Sequence, residues 1–211
     1  RLETLCPLAP LHQPHNLAAI RAIAKLKPDL PQVACFDTAF HHDKPDVASR
    51  LAIPRKFHDQ GIRRYGFHGL SYEYVAMRLA EIDPALAAGR VVAAHLGNGA
   101  SLCAMRDCRS VDTTMGFTAL DGLVMGTRCG TIDPGVILHF QLRMGMSAAD
   151  VEDMLYRQSG LLGVSGLSSD MRALAASDAP EAEEAMALFA WRAARETAAL
   201  ASSMGGLDGI V

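Results

Sequence analysis

The sequence has 211 residues, 50% of them apolar and 6% aromatic, with a net charge of −3. That is enough chain to bury a sizeable core in one large or two small domains. The faintly acidic balance, with no basic cluster to reverse it, argues against a nucleic-acid partner. No apolar run approaches the roughly 18 residues that a membrane-spanning helix needs, and the opening RLETLCPLAP lacks the apolar core of a signal peptide. Cys6, Cys35, Cys103, Cys108 and Cys129 form no CxxC pair and no zinc spacing, so they read as reduced, mostly buried thiols of a cytoplasmic protein. Cys129, beside Arg128, is the one place where a reactive thiolate comes into consideration.

In chain order, a proline-rich loop precedes the first helical pattern, Asn16 to Lys27, where Leu17, Ile20, Ile23 and Ala24 share a face and Pro28 stops the run. QVACFD (32–37) reads as a short buried strand with Asp37 at its end. A helix is expected from Ser71 to Ile82, then strands at 90–96, 100–107 and 108–114, with Gly97-Asn98-Gly99 as the first turn. Ser147 and Asp150 form a capping box, and Ser168 or Ser169 is a candidate cap for the helix after the serine-rich passage. The longest helix runs from Pro180 to Met204, with an apolar stripe of Met186, Phe189, Ala193, Thr197, Leu200 and Met204. Trp191 lies off that stripe. The final DGIV reads as the start of a buried strand, and a chain that opens without a first strand and closes inside one reads as a piece of a larger protein. Strands mixed with helices around a central meander give an α/β or mixed-sheet fold.

Five passages carry chemistry. Residues 112–135 hold five glycines in 24 positions and a single arginine, Arg128. Such backbone freedom suits close approach to a charged ligand, although glycine-rich turns also occur without one. HLGNG (95–99) is both a hairpin signal and a possible phosphate cradle, and one tip can serve as both. YGFHG (65–69) sets His68 between glycines after Arg63 and Arg64, a pair whose ordinary reading is a solvated surface. FDTAFH (36–41) puts Asp37 and His41 just past a strand end, where α/β folds collect ligands, with a turn-capping aspartate as the plainer reading. SGLLGVSGLSSDMR (159–172) is a glycine- and serine-rich loop leading into a helix.

Together and in this order, FDTAFH, RRYGFHGLS, HLGNGAS, DTTMGFTALDGLVMGTRCGTIDPG and SGLLGVSGLSSDMR closely resemble the acetate kinase family, as does the opening PLAPLHQPHN. The resemblance implies the two-lobed, duplicated ribonuclease H-like fold shared with sugar kinases, actin and Hsp70 ATPases. Residues 1–40 would be a remnant of the N-terminal lobe, and 41–211 most of the C-terminal, nucleotide-binding lobe. It implies reversible transfer of the ATP γ-phosphoryl group to a short carboxylate, with Mg2+, in a cytoplasmic homodimer. Carried over by motif, Arg128 and His68 stabilise the transition state, and Asp37 is the acid/base or positioning aspartate. His95, Leu96, Gly97, Asn98 and Gly99 form the phosphate loop. Asp170, Met171 and Arg172 contact the nucleoside, and Phe67 walls the acyl pocket. A carboxylate nucleophile is already ionised and needs no general base, so Asp37 is expected to orient an arginine or the metal shell.

Departures are visible. Tyr72 closes GLSY where the family usually has GTSH, and Thr131 stands where aspartate is usual. Ala119 replaces a proline of the acyl pocket, a loss of bulk that would admit propionate. The family's N-terminal phosphate loop, its HRVVHGG-type segment and its GIGEN segment, which supplies a glutamate for the metal, are not in this sequence. The metal ligands are therefore expected elsewhere, and the 211 residues alone are not expected to turn over acetate. A non-catalytic nucleotide-binding remnant is the alternative; a butyrate or sugar kinase fits the signatures less well.

Overall fold

A computed structural model describes residues 2–8 and 13–211. Its helices in chain order are α1 (Gln13–Leu26), α2 (Asp46–Ser49), α3 (Arg55–Asp59), α4 (Gly69–Ile82), α5 (Pro84–Ala87), α6 (Pro134–Leu142), α7 (Ala148–Arg157), α8 (Gly160–Ser165), α9 (Met171–Ala175) and α10 (Pro180–Met204). Strands β1 (Arg90–Leu96), β2 (Ala100–Arg106), β3 (Arg109–Thr113) and β4 (Gly209–Ile210) form one sheet in the order β3-β2-β1-β4. The first three strands are an antiparallel meander, whereas β4 returns parallel to β1, pairing Val91 with Gly209 and Val92 with Ile210. Arg90 and Asp208 lock that junction with an ion pair at 2.7 Å.

The uninterrupted apolar run Val91-Val92-Ala93-Ala94 is explained by cover on both faces of the sheet. On one face Val92, Ala100, Leu102 and Ala104 pack with Leu200 and Met204 of α10, together with Phe67, Met115, Ala119, Leu123 and Met125. On the other, Val91, Ala93, Cys103 and Met105 meet Tyr72, Ala76 and Leu79 of α4. A third cluster joins Val124 and Leu161 to Leu174 of α9 and to Ala182 and Ala185 at the start of α10. Much of the glycine-rich segment is thus core: Met115, Leu123 and Met125 are at most 1% exposed.

The meander, the Ser147–Asp150 capping box and the long helix agree with the sequence reading, and so does the terminal strand in its place, although it is not buried: Ile210 is exposed because β4 is the edge strand. Trp191 is exposed and carries the guanidinium of Arg195 over its ring at 5.5 Å. Four expectations change. Residues 32–36 are exposed and belong to no helix or strand, because neither edge of the sheet hydrogen-bonds to them. The opening is not a loop throughout: Leu2–Leu8 forms a 3-10 helix, and residues 9–12 lie outside the described residues. Neither Ser168 nor Ser169 caps α9; Asp170 does, its carboxylate accepting from Arg172 N, because its side chain reaches the free N–H two residues on. Along α1 only Leu17 is buried, and Ile20 and Ile23 remain exposed.

Candidate active site

The site grows from the β1–β2 hairpin and the N-terminus of α4. Leu96 pairs with Ala100, so Gly97, Asn98 and Gly99 form the tip, closed by Gly97 N donating to Gly99 O at 3.1 Å. His95, at the end of β1, stacks its ring on that of His68 with centroids 4.0 Å apart and planes within 19°. Each imidazole is tethered through Nδ1 to a serine: His68 to Ser101 at 2.8 Å, His95 to Ser71 at 3.0 Å. That turns the two Nε2 atoms toward the glycines of the tip. A Cβ built on Gly99 would lie 3.2 Å from His68 Nε2, and one built on Gly97 would lie 3.5 Å from His95 Nε2.

Arg128 reaches the same tip from the glycine-rich segment. The Cβ imagined on Gly99 would stand 2.5 Å from Arg128 Nη2, so any side chain there would force the guanidinium or the hairpin to shift. The cation is 4% exposed, and Nη1 donates to Ala119 O at 2.6 Å. Burial lowers its pKa, yet an arginine keeps its charge at neutral pH. Its loop is held by α8: Leu161 N donates to Met125 O, and Leu162 N to Gly126 O. Gly126 N in turn donates to Asn98 O at 3.1 Å, which ties the arginine loop to the hairpin.

His68 adopts the left-handed conformation, φ 59°, uncommon for a residue with a side chain. Asp37 holds it there. One carboxylate oxygen accepts from His68 N at 2.7 Å, and the Asp37 carbonyl accepts from Gly69 N at 2.8 Å. The aspartate thus braces the turn that presents His68. On the other side of that turn is His41, 2% exposed, whose Nε2 donates to Phe67 O at 2.9 Å while Nδ1 lies 2.8 Å from Ser110 Oγ. A carbonyl only accepts, so the ring is the neutral Nε2–H tautomer and takes its second bond from the serine. Burial pushes its pKa down to about 4. His41 is a buried strut, and ligand binding by it finds no support. Gly66, φ +86°, completes the turn: a Cβ there would press to 2.6 Å on the His41 ring and on Thr113.

Phe67 and Ala119 sit in the same apolar cluster, 8% and 7% exposed. Leu96, Gly97 and Asn98 are exposed at the tip. Asp170 and Arg172 form an exposed ion pair at 3.0 Å beyond α8, and Met171 packs partly into the third cluster. Ser169 O and Asn98 Oδ1 both crowd Gly126, the carbonyl 3.2 Å from a Cβ built there, so the 168–172 strip lies beside the hairpin tip. Every site residue named from sequence except Asp170, Met171 and Arg172 therefore belongs to one hydrogen-bonded or packed group, and that strip flanks it.

Several supporting residues escaped the sequence reading. Arg64 is no solvated arginine: it pairs with Asp121 at 2.8 Å and caps the carbonyls of Thr113 and Thr114, joining the YGFHG turn to the glycine-rich segment. Thr131 Oγ1 donates to the other oxygen of Asp121. Ser101 is fully buried and bridges His68 to the Tyr72 hydroxyl; in sequence it closes HLGNGAS as a polar residue in the apolar part of its strand. Cys129 is no reactive thiolate, since burial pushes its thiol up to about 11. Among the described residues no three His, Cys, Asp or Glu side chains converge in a way that could hold a metal ion.

A family model described as the acetokinase family matches residues 1–211. An acetate kinase of Rhodopseudomonas palustris is 64% identical over the whole chain, which covers 53% of that protein, and one of Methylocella silvestris is 59% identical over the whole chain and 52% of its own length. Among solved structures, a propionate kinase of Francisella tularensis superposes with a TM-score of 0.92 at 42% identity, and Porphyromonas gingivalis acetate kinase with 0.89 at 41%. Both matches cover 99% of this chain and a little over half of theirs, 55% and 54%. The α/β fold with its mixed sheet is thus the one found in acetate and propionate kinases, and the chain spans about half the length of the relatives it matches. It belongs to the acetokinase family.

Proposed function

We propose that the whole protein transfers the γ-phosphoryl group of ATP to a short-chain carboxylate, reversibly, giving an acyl phosphate and ADP. These residues supply the phosphate loop and the charge-stabilising pair. A carboxylate oxygen bonds to the γ-phosphorus as the bond to the β–γ bridging oxygen breaks, and the electron pair leaves with ADP. The observation that carries this reading is the convergence at Gly99, where the Arg128 guanidinium and His68 Nε2 both close on the glycine of the hairpin tip. Phosphoryl transfer is catalysed mainly by positioning and by charge stabilisation on the equatorial oxygens. A buried, oriented arginine with an imidazole at its side fits that need.

Asp37 is a positioning residue in this reading, holding the His68 turn through the backbone. Phe67 and Ala119 wall the acyl pocket, and Asp170, Met171 and Arg172 flank the nucleoside. Mg2+ would supply charge neutralisation between the phosphates, with ligands outside these residues. Residues 1–40 are proposed to belong to the opposite lobe, in keeping with the exposed Ile20, Ile23 and Val33. A cytoplasmic homodimer completes the proposal, supported by five free cysteines and by Leu138 and Leu142 exposed on the apolar α6. The deciding experiment traps acyl phosphate as its hydroxamate after the full-length protein meets ATP and acetate. Nucleotide binding without hydroxamate would favour the non-catalytic reading.

A further inference from the structure

Tyr72 is 1% exposed and stands four residues beyond His68, one turn along α4, without reaching the site itself. Its hydroxyl lies 2.5 Å from Ser101 Oγ, and the same oxygen lies 2.8 Å from His68 Nδ1. Ser101 is 0% exposed, so bulk water does not compete for its single proton. The chain of bonds can run in either of two senses. If Ser101 gave its proton to Tyr72, His68 Nδ1 would carry hydrogen and Nε2 would face the hairpin tip as a bare acceptor. If Tyr72 donates to Ser101, the serine proton is directed at Nδ1, and neutral His68 carries its hydrogen on Nε2. A phenol is far more acidic than an aliphatic alcohol and is the better donor. Successive bonds in one direction also reinforce each other in a dry interior. Burial holds the Tyr72 hydroxyl proton well above its ordinary range, so the donor is present at every working pH.

We infer that Tyr72 and Ser101 form a buried relay that sets His68 in the Nε2–H tautomer, so that its imidazole meets the phosphoryl oxygens as a donor. Both are positioning residues acting through His68, and the role at the phosphoryl group rests on the proposed phosphotransfer. The relay accounts for two features that function had not absorbed: a buried polar residue in the strand ASLCAMR, and a tyrosine closing the GLSY turn of sequence. A bare Nε2 would repel an anionic oxygen, so the tautomer decides whether the side chain helps or hinders.

The test uses the full-length protein with Tyr72→Phe, Ser101→Ala and the double variant. Nitrogen-15 chemical shifts of the His68 ring report its tautomer, and steady-state kinetics report its use. The wild type should show the Nε2–H form, and each single variant a mixture of tautomers. Each should lower kcat about tenfold, the worth of one well-placed hydrogen bond, with KM for ATP within about twofold. The double variant should lose no more than the worse single one, because one chain is cut once or twice with the same effect. Wild-type His68 shifts in a folded Tyr72→Phe or Ser101→Ala protein would overturn the relay, as would single losses that multiply in the double variant. Absence of acyl phosphate from the wild type would count against the phosphotransfer proposal instead, and the tautomer readout would still decide the relay.

Discussion

Gly99 lies directly against the Arg128 guanidinium: a methyl group on its Cα would stand 2.5 Å from Nη2. The arginine cannot yield easily, because Nη1 is anchored on Ala119 O in a nearly dry setting. Gly99→Ala should therefore move the cation or the hairpin by a fraction of an ångström to an ångström. Misplacement of that size is worth about 10²-fold in rate. We expect kcat of the full-length protein to fall by about that factor, with its melting temperature nearly unchanged. Unaltered kcat would show that neither group has to hold its place.

Arg128→Lys keeps the charge and loses the planar fork. A lysine ammonium cannot bond Ala119 O and address the hairpin tip at once, so the loss should be large, about 10²- to 10³-fold in kcat. Acyl phosphate formation by the lysine variant within threefold of wild type would remove Arg128 from the charge-stabilising role.

Asp37 separates geometry from charge. Asp37→Asn keeps an acceptor for His68 N and should retain most turnover. Asp37→Ala leaves that amide and the left-handed turn unsupported, costing about 1 kcal/mol of stability and roughly tenfold in kcat. Equal, severe loss in both variants, with normal thermal unfolding, would instead assign the carboxylate charge itself to the reaction.

His41 gives the fold an acid-side limit. Its pKa is lowered from 6.5 to about 4 by burial, so between those values the unfolded chain binds the proton that the folded chain refuses. Stability from the neutral ring is complete above pH 6.5 and falls as pH drops toward 4, by roughly 3 kcal/mol over the full interval. Urea unfolding of the wild type and His41→Gln at pH 7.5 and 5 should show a smaller pH dependence in the variant. Identical dependence would assign the acid sensitivity to other groups.

In the proposed phosphotransfer, Ala119 would be the lever on the acyl substrate. Restoring bulk with Ala119→Pro leaves the carbonyl that anchors Arg128 and would narrow the acyl pocket proposed beside Phe67. The ratio of kcat/KM for propionate over acetate should drop, by about the 10-fold that one methylene is worth in an apolar pocket. A strong acetate preference already present in the wild type would remove the idea that alanine admits the longer acid.

Local pattern was enough for much of the fold. The meander carries its own turn and its own apolar strands, and α10 its own stripe, so both were legible without any partner. Residues 32–36 were misread because a strand exists only against a neighbour, and the apolar letters Val33 and Phe36 do not say whether one is there. Arg64 was misread for a related reason: a pair of adjacent arginines looks solvated until Asp121, 57 residues away, is brought beside it.

Residue order alone determined that Arg128, His68, Asp37 and the 95–99 turn belong to one family pattern, since each motif is local and their succession is specific. Length and composition determined that a sizeable core could form. Only tertiary structure decided how the motifs serve each other. It put Gly99 between the arginine and the histidine, and it turned Asp37 toward the backbone of His68. It also made His41 a strut and placed Ser101 between a tyrosine and an imidazole. These relations join residues about 30 to 70 positions apart, where hydrogen-bond direction and burial are set by packing between elements and leave no periodic trace in the chain.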